Sequence, residues 1–250
     1  MPASEVYTNK AKAYARYRWD YAPEALQTIL EISGLGADAV AADLGAGTGI
    51  FTRQLARAAA QVIAVEPNVE MRHEAAVQLA EYPQARILAA SGEHTTIDSH
   101  SVDLVSVAQA IHWFQPEPAR SEILRILKPG GWLALLRNAT TGEDDISQAV
   151  SAISTAAYGA QEVHAAPAVR TAPGFYYGHE KYQRWIFPFQ VEQTWERFIG
   201  SLCSASYLPD PSHALFPRFE QAAREIFERF SQNGKRVVCC VTELLLGQPV

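Results

Sequence analysis

Between residues 38 and 137 short apolar runs alternate with amphipathic helical patterns, and this alternation leaves few folds open. AVAADL (39–44), QVIAVE (61–66), ARILAA (85–90), VDLVSVAQ (102–109) and WLALLRN (132–138) read as strands. Between them, residues 50–60 place Phe51, Leu55 and Ala58 on one helical face. Asn68 suits the cap of a helix running through Met71, Ala75 and Leu79. Residues 116–128 read as a further helix with Ile123, Ile126 and Leu127 inward. Strands that are apolar on both faces, each followed by a helix, specify an α/β fold with a mostly parallel sheet covered on both sides. Right-handed crossovers then restrict the topology further.

The rest of the chain is patterned differently. Residues 144–155 form a helix with Ile146, Ala149, Val150 and Ile153 on one face, and residues 158–181 read as loop. Residues 182–190 alternate as a strand does but contain Pro188, which belongs on a sheet edge. Residues 217–230 are amphipathic, with Phe219, Ala223, Ile226, Phe227 and Phe230 together and Gly234 as the stop. Residues 237–246 are apolar enough for an interior strand, expected to pair antiparallel with 182–190. We expect a single domain over 1–250. Its core is 35–140, a capping region covers 1–34 and about 140–235, and the final strand is 237–246.

The first strand ends in DLGAGTG (43–49), a glycine-rich loop that opens a helix. Glycine permits the tight turn and lets a ligand approach the backbone. The dinucleotide fingerprint needs a third glycine at position 50, where Ile50 stands. Glu66, ending the second strand, suits the ribose hydroxyls of either NAD or S-adenosylmethionine. Asp43 distinguishes them. A carboxylate beside the loop repels a pyrophosphate and attracts a sulfonium and an ammonium. The other reading of Asp43 is a cap of the loop or helix. LKPGG (127–131), some eighty residues on, is a turn from a helix into the next strand.

DLGAGTG, VEPN (65–68), SGE (91–93), SVDLVSVAQAIHWF (101–114) and LKPGG together resemble a class I S-adenosylmethionine-dependent methyltransferase of the small-molecule type. The likeness covers about 14–137 well and extends more loosely through 195–209. YARYRWDY (14–21) is similar to a stretch found in one branch of these enzymes, with Trp19 and Ala22 where prolines are usual. The resemblance implies a Rossmann-like seven-stranded sheet of order 3-2-1-4-5-7-6, strand 7 antiparallel. It also implies that Gly45, Ala46, Gly47 and Gly49 lie against the methionine part and the ribose. Glu66 would hold the ribose hydroxyls, Pro67 and Met71 would border the adenine, and Ser91 and Gly92 would meet its edge. Many relatives have Asp at the position of Ser91. Glu93 either joins the site or faces solvent. Tyr14 and Arg18 are assigned to the cofactor as well, Arg18 either pairing with its carboxylate or standing as a surface arginine. Gln109 is a cofactor contact or a loop brace.

Methyl transfer from a sulfonium is an in-line displacement, so alignment and exclusion of water matter most. His112, after the fourth strand, is either the general base or a ring that packs with Trp113 and orients the loop. Tyr17, Trp113, Tyr176 and Tyr177 are expected to line a largely apolar substrate pocket, along with Trp19, Tyr158, Phe175 and Trp185; packing within the core and lid is the competing reading. There is no [DNS]PP[YFW] after the fourth strand, as amino-directed nucleic-acid methyltransferases have, and no acid there for a metal. His164 and His179 read as surface residues, and no metal is expected.

A net charge of −6 with no basic stripe argues against nucleic acid as partner. The chain carries no 20-residue apolar span and no secretory pattern at the N-terminus, and its three cysteines lack metal-type spacing. Adjacent Cys239 and Cys240 should face opposite sides of a strand. A cytoplasmic protein, monomer or homodimer, with a small-molecule substrate is the expectation. Three alternatives stand beside methyl transfer: a non-methylating reaction such as a cyclisation, a non-catalytic cofactor-binding protein, and an NAD-dependent oxidoreductase.

Overall fold

A computed structural model describes residues 10–36, 38–59, 61–141, 144–158, 171–205, 208–209 and 211–250. The strands are β1 (Val40–Leu44), β2 (Gln61–Val65), β3 (Ala85–Leu88), β4 (Val102–Ala108), β5 (Leu127–Thr140), β6 (Gln183–Thr194) and β7 (Lys235–Gly247). They form one seven-stranded sheet of order β3-β2-β1-β4-β5-β7-β6. The first five are parallel. Arg184 pairs with Glu243, and eight residues on, Glu192 pairs with Lys235 eight residues back, so β6 and β7 are antiparallel. Arg137 likewise meets Glu243 while the Thr141 N–H donates to Cys239 O, which sets β7 antiparallel to β5. Pro188 sits on the edge strand β6, the place in a sheet where proline is tolerated. Cys239 is exposed and Cys240 buried, one on each face.

The helices are α1 (Ala11–Tyr17), α2 (Pro23–Ser33), α3 (Ile50–Ala56), α4 (Val69–Gln78), α5 (Pro116–Ile126), α6 (Asp144–Tyr158), α7 (Pro173–Tyr177), α8 (Trp195–Cys203) and α9 (Phe216–Phe230). Asn68 caps α4 by accepting from Met71 N, as its position predicts. Among the differences from the sequence reading are two boundaries and one helix stop. The helix behind the glycine loop stops at Ala56, four residues short. α9 ends at Phe230 on an extended Ser231, and Gly234, at φ +74°, serves the turn into β7 instead. The segment LKPGG is a bulge within β5 rather than a turn before it. Val102 pairs with Leu127 and Leu104 with Trp132, so residues 128–131 arch out opposite Asp103. Lys128 reaches back to the Asp103 carboxylate at 2.8 Å, and a Cβ on Gly131 would crowd Lys128 O at 3.0 Å and Asp103 O at 3.2 Å.

The described residues fall into two compact units. One comprises those of Asp20–Asn138, Pro167–Phe187 and Thr242–Val250. On one face of the sheet its core is built from Leu44, Val65, Val105, Ile123, Ile126, Leu133 and their neighbours. Each such side chain contributes about 1.5–3 kcal/mol of burial. The other comprises those of Met1–Trp19, Ala139–Ala166 and Pro188–Val241. There Phe198, Ala223, Ile226 and Phe227 pack with Ile146, Val150 and Ile153 as α6, α8 and α9 come together. Lys10 ties the start of α1 to the end of α8, its ammonium donating to the carbonyls of Cys203, Ala205 and Leu208. No helix among the described residues is long and apolar enough to cross a membrane.

Candidate active site

The glycine loop leaves the carboxyl end of β1, at the crevice where open α/β sheets bind ligands. Gly45 N and Ala46 N both donate to Val65 O, which ties the loop to β2. Gly47 N donates to Glu66 Oε2 at 2.9 Å, and Asn68 N donates to Glu66 Oε1 at 2.8 Å. Gly45, Gly47 and Gly49 all have positive φ, which only glycine adopts without strain. They do different work. A Cβ on Gly45 would lie 2.5 Å from the Ala110 Cβ, so this glycine lets β1 and the segment after β4 close together. A Cβ on Gly47 would meet nothing within 4 Å, so this glycine borders open space.

Asp43 is 1% exposed. Its Oδ2 accepts from Thr52 Oγ1 at 2.7 Å and its Oδ1 from Ser106 Oγ at 2.8 Å. The pairing register makes Asp43 and Ser106 direct neighbours across β1 and β4. Burial pushes the Asp43 carboxyl up to about 6, against the pull of its two hydroxyl donors. Glu66 is also raised by burial. No ammonium or guanidinium of the described residues hydrogen-bonds either carboxylate; Arg72 donates to the Glu66 main-chain carbonyl. Two acids thus stand under one glycine loop without a hydrogen-bonded cation. Thr52 and Ser106 were not singled out by sequence. The signal was available for Ser106, a hydroxyl inside the apolar run VDLVSVA, but its partner was not.

After β3, Gly92 packs so closely under the Phe114 ring that a Cβ there would lie 2.5 Å from its Cζ. The same ring stands 3.2 Å from the Cβ position of Gly45. Phe114, absent from the sequence-based site, therefore joins the loops after β1, β3 and β4. Glu93 holds this arrangement, accepting from Gln115 N at 3.0 Å. Ser91 is half-buried and bridges to His94. Met71 is buried and Pro67 exposed, both beside Glu66 in the chain. Gln109, just past β4, has φ +59° and donates its side-chain amide to Asn138 O at 2.9 Å, so it braces the loop. His112 and Trp113 follow on a single 3-10 turn (Ile111–Trp113), half-buried, with ring centroids 5.2 Å apart.

Two expected substrate residues belong to the core instead. Tyr177 is fully buried, stacks on Tyr182 and donates its hydroxyl to Leu245 O at 2.9 Å. Tyr176 is 2% exposed and packs in the same core. Their segment forms α7, and the helix turns both rings inward where the pattern alone read loop. Tyr14, Tyr17 and Arg18 lie in the other unit. Arg18 donates to Ser204 Oγ at 2.8 Å and stands over the Tyr14 ring. Tyr17 packs on Gly200 and donates to Glu196. His179 is hydrogen-bonded to Gln248 O. His164 and the side chain of Tyr158 lie outside the described residues.

Residues 42–135, from β1 to β5, match the family model described as a methyltransferase domain. This stretch resembles the catalytic domain of the class I S-adenosylmethionine-dependent methyltransferases. An uncharacterised methyltransferase of Mycobacterium tuberculosis is 42% identical over 126 residues, 50% of this chain and 49% of that protein. One of Schizosaccharomyces pombe is 35% identical over the same shares. The chain spans about half the length of the curated relatives it matches. Among solved structures, a candidate type II methyltransferase from Anaeromyxobacter dehalogenans aligns with a TM-score of 0.61 at 19% identity, over 94% of this chain and all of that one. The YcgJ protein of Bacillus subtilis aligns at 0.54 with 13% identity, over 92% of this chain and 100% of its own, and shares the fold.

The family's cofactor is S-adenosylmethionine, and the residues present fit it. The open space at Gly47 admits a ligand against the backbone. The Thr48 hydroxyl beside it is buried with no hydrogen-bond partner among the described residues, an acceptor or donor left for a ligand. Each Glu66 oxygen accepts one backbone N–H and keeps a lone pair for a ribose hydroxyl. The two acids suit a cationic nucleoside and oppose a pyrophosphate.

Proposed function

We propose that this methyltransferase-family protein transfers a methyl group to an oxygen or nitrogen of a small organic molecule. The observation that carries the reading is the pair of buried acids, Asp43 and Glu66, under a glycine loop that lies within the family match. Bound S-adenosylmethionine supplies an activated methyl. The chain's own residues then have three tasks. Glu66 and the glycine loop hold the nucleoside, and Asp43 stabilises positive charge close to the loop from beneath it. Gly92, Phe114 and Met71 supply apolar and backbone surface for the base. His112, half-exposed at the carboxyl end of β4, takes the proton of an O–H or N–H acceptor as the methyl bond forms. Trp113 completes the reading on the substrate side.

A small-molecule acceptor is supported by AQAIHWF after β4, which lacks the nucleic-acid signature, and by the net charge of −6. The reading goes with a protein that acts without nucleic acid or membrane, in the cytoplasm, as a monomer or homodimer. The test is a screen of small-molecule classes for a product heavier by one CH2, formed together with S-adenosylhomocysteine. His112→Ala is expected to cut turnover by about a hundredfold, the usual scale for a lost general base, while cofactor affinity stays within a factor of about two. Turnover that survives in this variant at every pH removes His112 as the base. Cofactor binding without any S-adenosylhomocysteine across the screen removes the methyl-transfer reading itself.

A further inference from the structure

β4 ends at Ala108, and the next residue is one of four non-glycine residues with positive φ among the described residues. Gln109 stands at φ +59°, a conformation that costs a long side chain about 1 kcal/mol or more and persists only where its surroundings fix it. Here they do. Gln109 N donates to Leu136 O at 2.9 Å and Gln109 Nε2 to Asn138 O at 2.9 Å, so both ends of the residue are held on β5. The reversal at Gln109 sends the chain directly into the 3-10 turn that bears His112 and Trp113.

Asn138 in turn is held on two further sides. Its Oδ1 accepts from Thr242 Oγ1 at 2.6 Å, and its Nδ2 donates to Asp20 O at 3.2 Å. Thr242, fully buried on β7, accepts from Ala22 N at 2.9 Å. The 20–22 segment is itself fastened to α3, the helix behind the glycine loop. Arg53 pairs with the Asp20 carboxylate at 2.6 Å, and Gln54 exchanges two hydrogen bonds with the Tyr21 main chain. One continuous polar chain therefore runs from the turn that carries His112 to the helix that carries the cofactor loop.

We propose that Gln109 is a positioning residue for methyl transfer, holding the His112–Trp113 turn in place, and that Asn138 anchors its acceptor and couples that turn to the segment fastened on α3. The assignment rests on the methyl-transfer reading above, so the experiment has one arm that needs no turnover. Gln109→Gly removes the brace and also relieves the backbone, so it is expected to leave the melting temperature unchanged or higher. Amide exchange at residues 110–114 is expected to quicken about tenfold in this variant, in the presence and absence of S-adenosylhomocysteine, with residues 20–22 and 44–49 unchanged. Asn138→Ala is expected to quicken exchange at both 110–114 and 20–22. With a substrate in hand, Gln109→Gly lowers kcat about tenfold or more, with KM for the cofactor within about twofold, and Gln109→Asn recovers part of the loss because it restores a side-chain amide donor on a residue that still tolerates positive φ. Wild-type exchange at 110–114 in Gln109→Gly overturns the proposal, as does exchange that rises equally through β1, β2 and β4. Failure of the wild type to bind S-adenosylhomocysteine or to turn over overturns the functional reading and leaves the exchange result to decide the brace.

Discussion

At the scale of single residues, the acid at position 43 carries most of the proposed choice of ligand. Its carboxyl sits near 6 because it is buried, while an unfolded aspartate ionises near 3.8. The sign follows directly. A raised acid favours its protonated form in the folded, cofactor-free protein, so its contribution to stability is full below about 4 and lost as pH rises through about 6. Asp43→Asn is therefore expected to melt no lower than the wild type at pH 8 without cofactor. A bound sulfonium and ammonium favour the ionised form instead. Affinity for S-adenosylmethionine should thus fall as pH drops below about 6 in the wild type, and calorimetry should show a weaker and nearly pH-independent affinity in Asp43→Asn. A wild-type affinity that is flat between pH 5 and 8 would show that Asp43 does not sense the ligand's charge.

At the scale of elements, the loop after β3 is placed by contacts from α5 and from the turn after β4. Glu122 of α5 is buried and accepts from Thr95 N at 2.7 Å, Thr95 Oγ1 at 2.6 Å and the Arg125 guanidinium. These donors outweigh its burial and hold its carboxyl down at about 2. A depressed acid contributes stability above about 4.5 and loses it as pH falls toward 2. Glu122→Gln is expected to cost roughly 1–3 kcal/mol at pH 7, with the difference from wild type shrinking steadily in denaturant melts run toward pH 3. The other contact is steric. Gly92→Ala drives a methyl into the Phe114 ring and should cost about 1–3 kcal/mol, and Phe114→Leu in the same chain should return part of it. Additive costs in that double variant would mean that the two residues do not meet. Sequence placed Gly92 and Glu93 in the site through family resemblance, yet it left Phe114 without a role at the end of its motif and gave no sign of Glu122, because both act from positions more than twenty residues away.

At the scale of the whole molecule, the question is which nucleoside stabilises the chain. A ligand at a hundred times its Kd adds about 2.7 kcal/mol to the folded state, which for a protein of this length raises Tm by about 5–10 °C. S-adenosylmethionine and S-adenosylhomocysteine should both produce such a shift at pH 8, and NAD should not. A shift with NAD alone would reverse the reading of the two acids.

What the sequence determined by itself is local. Strand and helix alternation, the edge position of Pro188, the Asn68 cap and the opposite faces of Cys239 and Cys240 all follow from patterns a few residues long, and all are present in the fold. The tertiary structure decided whatever depends on register and distant packing. Ser106 reaches Asp43 from 63 positions away because β1 and β4 pair in one register and no other. Tyr177 leaves the substrate side for the core because its hydroxyl finds Leu245 O on a strand 68 positions on. Gln109 takes a strained backbone because β5 offers two carbonyls at the right height. Periodicity records which face a residue turns to the core; it carries nothing about which partner the sheet will bring to meet it.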